Sequence, residues 1–490
     1  MLDIDHCYRA LQSKDSRFDG KFFVGVSSTG IYCRPVCTAK TPMRTRCTFF
    51  PSAAAAEAEG YRPCLRCRPE LAPGNSTVDA PRRVAHAAAS LIDDGFLEEQ
   101  DLAALGTRLG VTDRHLRRIF QSEFGVAPIG YAQTQRLLLA KRLLTDTVMP
   151  VTDVAMASGF GSVRRFNALF QARYRMQPTR LRHDRDDVRT KNAANDAISG
   201  AAMHFELAYR PPLAWDTILA FLAQRAVLGV EMTANGEYRR TTSIVHGGQV
   251  HRGWVTVRPS PRRATLQVSI SPGLAKAVPP VLARVKRLFD LGCDPHVVAE
   301  QLGKLAEAHP GLRVPGSFDG FEMSLRGILG QQVTVKAATT LSGRIATSFG
   351  ETIETPWPGL THTFPTAARI AALTVDDIAS RGINGARSRC ILGLAARVAN
   401  GSLILAPGVD VDRTIAALRE VPGIGEWTAQ YIAMRALGWP DAFPHTDLGV
   451  MKALQETKPK RVLELAQQWQ PWRAYAVLHL WHSNLAKETK

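Results

Sequence analysis

The sequence lacks any run near the ~18 apolar residues that a bilayer-spanning helix needs, so a spanning protein is not expected. Its first residues, MLDIDHCYRALQSKD, lack the basic start and apolar core of a secretory signal, and a cytoplasmic protein is expected. Acidic residues are in short supply. Against 44 Asp and Glu stand 61 Lys and Arg, a formal charge of +17, which points to a polyanionic partner. There is no amphipathic helix with a basic face opposite Trp and Phe, so nucleic acid is favoured over a membrane surface. Aromatics are sparse at 7%, yet 8 Trp, 9 Tyr and 19 Phe exclude a mere basic tail. No internal repeat occurs beyond two similar helical units inside residues 80–182.

What is present describes a folded chain of several domains. Apolar residues make up 45% of 490, too many for a disordered polymer, and the length exceeds what one core holds. Residues 1–75 are rich in Cys, Arg and Pro, with a strand-like run at 22–26. Residues 71–76 (LAPGNS) have the turn chemistry of a linker. Residues 80–182 show helical spacing. Residues 183–202 are polar and aperiodic, a second linker that predicts mobile halves. Residues 203–310 alternate in the strand manner around two helical stretches, suggesting an antiparallel sheet with helices on one face. Residues 311–490 are mostly helical. The expected fold class is multidomain α+β: a small zinc domain, an all-α double helix-turn-helix domain, an antiparallel sheet-plus-helix domain and a helical domain bearing a helix-hairpin-helix.

Of eight cysteines, four form two close pairs, Cys33-Arg-Pro-Val-Cys37 and Cys64-Leu-Arg-Cys67. In a cytosolic chain such pairs read as metal ligands before disulfides, and four thiolates suit one tetrahedral zinc per chain. On spacing alone, the zinc can be purely structural. Cys7 and Cys47 have no paired spacing and read as ordinary small residues. The segments Thr29–Pro35 and Tyr61–Cys67 closely resemble the N-terminal domain of the Ada methyltransferases. That resemblance implies that Cys33, besides ligating zinc, irreversibly accepts a methyl group from a DNA methylphosphotriester. Zinc would keep the sulfur deprotonated. A zinc held by four thiolates carries two formal negative charges, and alkylation removes one. Repulsion of DNA phosphates then falls, so the methylated domain should bind DNA more tightly. Arg34, Arg44, Arg46, Arg62, Arg66 and Arg68 could clamp flanking phosphates or be solvated surface residues.

The two helical units read as helix, Gly turn, capped basic helix. The first runs from Asp101 through Gly110 and Thr112 to Arg114–Phe120. The second runs from Val151 through Ser158–Ser162 to Arg164–Phe170. They resemble the AraC-type DNA-binding domain, whose second helices would enter successive major grooves. Arg114, His115, Arg117, Arg118, Arg164, Arg165 and Asn167 are the candidate contacts. A helical bundle with a basic face is the alternative.

Val421–Ala429 (VPGIGEWTA) is a helix-hairpin-helix signature. Gly423 and Gly425 let the backbone approach a phosphate, and the following helix start favours that anion. Farther on lies Asp447 in FPHTDLGVMK. Read by itself, Asp447 could be a helix N-cap. Hairpin and acid together resemble the helix-hairpin-helix base-excision glycosylases, especially the 3-methyladenine DNA glycosylase II branch, over residues 203–490. The resemblance implies that Asp447 stabilises charge on the sugar and directs water as the base leaves. Bifunctional relatives carry Lys at the position of Trp427, so a monofunctional enzyme is implied. Trp427, Tyr431 and Trp481 resemble the aromatic cleft that attracts cationic alkylated bases flipped from the helix, although Tyr431 can also be core packing. Gln332 stands where the family can use a Leu as a wedge.

The expected protein is a fused adaptive-response factor. It would sense phosphotriesters with Cys33, bind alkylated and promoter double-stranded DNA as a monomer, engage RNA polymerase, and hydrolyse 3-methyladenine and 7-methylguanine from DNA. No Pro-Cys-His-Arg segment occurs, so no O6-methylguanine transferase is expected. One alternative is a transcription regulator with structural zinc and an inactive glycosylase-like half. Another is a glycosylase whose front half is only a DNA tether.

Overall fold

The computed structural model describes residues 4–14, 18, 22–35, 37, 39–67, 69, 80–146, 149–181 and 202–488. The segment 71–76 and nearly all of 183–202, both read as linkers, lie outside the described residues. By compactness the chain divides into two units. One comprises residues 1–210, 244–251 and 259–283, the other residues 211–243, 252–258 and 284–490. Among the described residues no helix is long and apolar enough to cross a membrane.

In the first unit, β1 (Phe23–Val26), β2 (Ile31–Cys33), β3 (Cys47–Phe50) and β4 (Arg62–Pro63) form a sheet in the order β3-β1-β2-β4. The β2–β4 pair is parallel, with Tyr32 opposite Pro63, and the Cys64 amide donates to the Tyr32 carbonyl at 3.0 Å. This register brings the two cysteine pairs together, because Cys33 ends one strand and Cys64 follows its neighbour. Phe23, Tyr32, Phe50 and Ala54–Ala56 pack into one core with Val126 and the half-buried Tyr131, which belong to the helical region. The zinc-ligand sheet and the helices that follow it therefore share a core.

Both helix-turn-helix units form. Asp101 caps the helix Leu102–Arg108, and the Thr112 hydroxyl accepts from the His115 amide to cap Asp113–Phe124. Gly106 is required at the turn, since a Cβ there would lie 2.8 Å from the Val111 carbonyl oxygen. In the second unit, Ser162 caps Val163–Tyr174 after a turn through Gly159 at φ 82°. Leu105, Leu116, Phe120 and Phe124 fill the first unit's core.

A five-stranded sheet follows, ordered β5-β9-β8-β7-β6: β5 (Met203–Ala208), β6 (Glu231–Ala234), β7 (Glu237–His246), β8 (Gln249–Pro259) and β9 (Thr265–Ile270). The β5–β9 and β6–β7 pairs are antiparallel. Two-residue turns, Asn235-Gly236 and Gly247-Gly248, link β6 to β7 and β7 to β8. All four residues have positive φ, the backbone that tight hairpins of this twist demand. After residue 277 the named elements are all helices. Arg240 and Arg326 pair with Glu231 and Glu322 in a largely buried four-charge cluster. Breaking one member of such a cluster leaves an uncompensated charge, at a cost of about 3–5 kcal/mol.

Candidate functional site

The first unit carries a metal centre in outline. The sulfurs of Cys33, Cys37, Cys64 and Cys67 all lie within 4.8 Å of one another, and three of the four residues are buried. Four converging thiols with no competing carboxylate fit a tetrahedral zinc ion. The Arg34 amide donates to the Cys67 sulfur at 3.4 Å, an outer contact that fixes that ligand's orientation. A cavity of about 450 Å³ opens beside Cys33, lined by Val24, Ile31, Pro42 and Leu65 among others, so the sulfur is buried without being walled off. Of the candidate phosphate clamps, Arg46 and Arg66 are exposed, Arg62 is half-buried on β4, and Arg44 is exposed but tied to Asp5. Arg68 lies outside the described residues. Cys7 packs with Ala10 and Phe22, and the Cys47 thiol donates to the Met43 carbonyl.

On Asp113–Phe124, Arg114, Arg117 and Arg118 are exposed. His115 is half-buried and bonds Arg118 at 3.1 Å. Arg164, Arg165 and Asn167 are exposed along Val163–Tyr174, opposite the buried Phe166 and Phe170. Each recognition helix thus buries its aromatic stripe and presents its polar one.

In the second unit the hairpin joins helices Val411–Arg419 and Glu426–Arg435. Gly423 has φ 98°, and a Cβ there would meet Cys390 at 3.1 Å. Gly425 is the N-cap of the second helix and offers no side chain to it, which leaves the first-turn amides free for an anion. Gln331 locks the neighbouring loop, donating to the Gly423 carbonyl at 2.8 Å and to the Thr428 hydroxyl at 2.9 Å. Beside it, Gln332 is exposed in the left-handed region at φ 54°.

Asp447 is indeed an N-cap, of Leu448–Leu454, and it is more than that. Its Oδ1 accepts from the Val450 amide at 3.0 Å and from Trp481 Nε1 at 2.8 Å, and its Oδ2 accepts from Trp427 Nε1 at 2.9 Å. A carboxylate has about four lone-pair sites, so roughly one remains for a water or a sugar. The Trp427 and Tyr431 rings stack 5.3 Å apart at 9°, and Trp481 stacks on Phe221 at 6.3 Å and 10°. The half-buried carboxylate therefore sits between two aromatic pairs, each with one indole bonded to it.

Models of three known families match successive parts of the chain. The metal binding domain of Ada matches residues 6–70, a helix-turn-helix domain matches 105–184, and the AlkA N-terminal domain matches 204–319. A Mycobacterium tuberculosis protein named probable bifunctional transcriptional activator/DNA repair enzyme AlkA is 38% identical over 98% of this chain and 96% of its own length. The chain belongs to that family. DNA-3-methyladenine glycosylase 2 of Escherichia coli is 37% identical over 57% of this AlkA-family chain and 97% of its own. The Bacillus subtilis bifunctional transcriptional activator/DNA repair enzyme AdaA is 29% identical over 36% of this chain and 82% of its own. An Ada-type front is here fused to a glycosylase-type back.

Three residues of the pocket escaped the sequence reading: Phe221, Arg225 and Arg435. Arg225 lies 3.8 Å over the Phe221 ring, and Arg435 donates to the Tyr431 hydroxyl at 3.0 Å. The sequence holds one local signal, a Tyr and an Arg four apart at 431 and 435, a spacing that places them on one helix face, whereas Arg225 lies in the turn just after the helix Trp215–Ala223.

Proposed function

We propose that this chain both senses and repairs alkylated DNA in the cytoplasm. The four-cysteine cluster holds one zinc, which when bound keeps its thiolate ligands deprotonated at neutral pH. Cys33 attacks the methyl carbon of a DNA methylphosphotriester. The sulfur–carbon bond forms as the carbon–oxygen bond breaks, and the electron pair stays on the phosphate as an ordinary diester anion. The thioether is permanent, so each chain acts once. Loss of one thiolate charge strengthens promoter binding through the two recognition helices, and the monomer then activates transcription through RNA polymerase.

The second activity is hydrolysis of the N-glycosidic bond of 3-methyladenine and 7-methylguanine. The observation that carries it is Asp447, fixed by two indoles and a backbone amide with one acceptor site left over. That carboxylate faces positive charge building on the sugar and aligns the water that replaces the base. Trp427 has no amine with which to attack the sugar, so the enzyme is monofunctional and leaves the strand intact. Gly423 and Gly425 hold the backbone, and Gln332 enters the space that the flipped base vacates.

Release of base from duplex DNA containing 3-methyladenine, measured for the wild type beside Asp447→Asn, tests this reading. The wild type should release base without strand cleavage, and the variant should be slower by about 10²-fold or more. No release by the wild type refutes the glycosylase assignment. For the front, mass spectrometry after exposure to methylated DNA should find one added methyl, on Cys33. Its absence would reduce the zinc to a structural role.

A further inference from the structure

The short helix Ala53–Ala58 carries none of the candidate zinc or DNA ligands, yet it is bonded to the ends of both recognition helices. Helix ends leave carbonyls without intrahelical partners. At the end of Asp113–Phe124, the Phe124 carbonyl accepts from the buried Ser52 hydroxyl. That hydroxyl in turn accepts from the Ala55 amide at 3.0 Å and so caps Ala53–Ala58. Gly125, which follows Phe124, has φ 75°, and a Cβ there would lie 2.9 Å from the Ala55 side chain. The two helices therefore meet without room for a side chain. Toward the other end of Ala53–Ala58, the Glu57 carbonyl accepts from Arg173 at 2.8 Å, and Arg173 lies in the last turn of Val163–Tyr174.

The same helix is tied to the four cysteines twice. Tyr32 immediately precedes Cys33 on β2, and its hydroxyl donates to the buried Glu57 carboxyl at 2.9 Å. On the far side, the Gly60 amide donates to the Glu57 carbonyl at 2.9 Å and the Tyr61 amide to the Ala56 carbonyl at 3.1 Å, and the chain then runs through β4 to Cys64. A shift of β2 or β4 has to carry Glu57 along or break a buried hydrogen bond, and a buried carboxyl stripped of its donor is costly. Zinc would fix Cys33 against Cys64. Without it, that task falls to the short parallel pairing of Ile31 with Arg62 and Tyr32 with Pro63.

We propose that Ala53–Ala58 is a rigid link through which the four-cysteine centre holds both recognition helices in position. Tyr32 and the chain to Cys64 fix the link to the centre. Ser52 and Arg173 fix it to the two helices. The link grips each helix at its C-terminal end, while the candidate DNA contacts, residues 114–118 and 164–167, lie toward the other end. It can therefore set the orientation of both helices without competing for DNA, and the state of the centre reaches the reader through packing as well as through charge.

This inference rests on the cysteines holding zinc. Amide hydrogen exchange of the full chain tests it with no DNA present, before and after a chelator withdraws the metal, with zinc release measured alongside. Loss of zinc should speed exchange at residues 121–125 and 170–175 about fivefold or more, the worth of one hydrogen bond, and change residues 102–108 by less than about twofold. Arg173→Met removes the guanidinium and keeps its stem. With zinc present, residues 170–175 of that variant should already exchange at the faster rate and gain less than about twofold when zinc is lost. Residues 121–125 should still respond as in the wild type, which also shows that the variant is folded. Unchanged exchange at both segments of the wild type overturns the inference. So does an equal rise at residues 102–108, which needs no link, and so does a response at 170–175 in Arg173→Met as large as the wild type's. A chain that releases no zinc overturns the metal reading itself, and this inference with it.

Discussion

Asp447 shows how one residue serves structure and chemistry together. The cap uses one bond to Oδ1, and the two indoles use the rest of what the fold demands of it. Trp481→Phe removes an N–H donor and keeps an aromatic ring of similar reach. Base release should fall about 10- to 100-fold, while the thermal midpoint moves by only a few degrees. A rate within twofold of wild type would make Trp481 a packing residue only. Glu57 is a second residue with two faces. It is buried, accepts from the Tyr32 hydroxyl at 2.9 Å, and offers its backbone carbonyl to Arg173. Burial pushes its carboxyl up to about 7, against the opposing pull of Tyr32, Arg173 and Lys141. A carboxyl raised in the folded state favours folding fully below its unfolded value and loses that contribution as pH rises through its folded value. Stability should therefore decline from about pH 4.5 to pH 7 by at most ~3 kcal/mol, and Glu57→Gln should flatten that slope in denaturant titrations. The cap at Asp447 was legible in the sequence, but its bonds to the two indoles and the burial of Glu57 were not. An Asp before LGVMK reads as a cap, and its indole partners lie at 427 and 481.

At the scale of elements, the local motifs were readable because their chemistry is local. The Thr112 cap, the Gly turns and the VPGIG hairpin each occupy a few consecutive residues, and the structure uses them as their sequence implies. Strand β6 was not read, since its four residues, EMTA, are too short to show alternation, and its pairing with β7 is set by the Asn235-Gly236 turn. Arg225 and Arg435, which flank Phe221, come from segments about 210 residues apart, beyond any spacing rule. Gly423→Ala would force an L-residue into left-handed backbone and press on Cys390. It should cost about 1–3 kcal/mol and weaken binding to an abasic-site duplex, as read by thermal unfolding and by titration. Thr112→Ala should cost about 1 kcal/mol and loosen only the first recognition helix, visible as faster amide exchange in residues 113–116.

For the whole molecule, charge and composition pointed to nucleic acid before any fold was known. The +17 charge predicts affinity that falls steeply with salt, about 10³-fold or more between ~50 and ~200 mM if six or more phosphates are met. Removal of zinc by a chelator should abolish the proposed methyl transfer and lower the unfolding temperature of the cysteine-bearing sheet while base release persists, because the thiols and Asp447 belong to different compact units. What composition did not disclose is how the sheet that bears Cys33 meets the helix-turn-helix units. Residues 71–76 read as a linker, yet Phe23, Tyr32 and Phe50 share a core with Val126 and Tyr131. On the function proposed above, a methyl-accepting sheet built into the same core as DNA-binding helices would touch lesion and promoter together only at one fixed offset along the duplex.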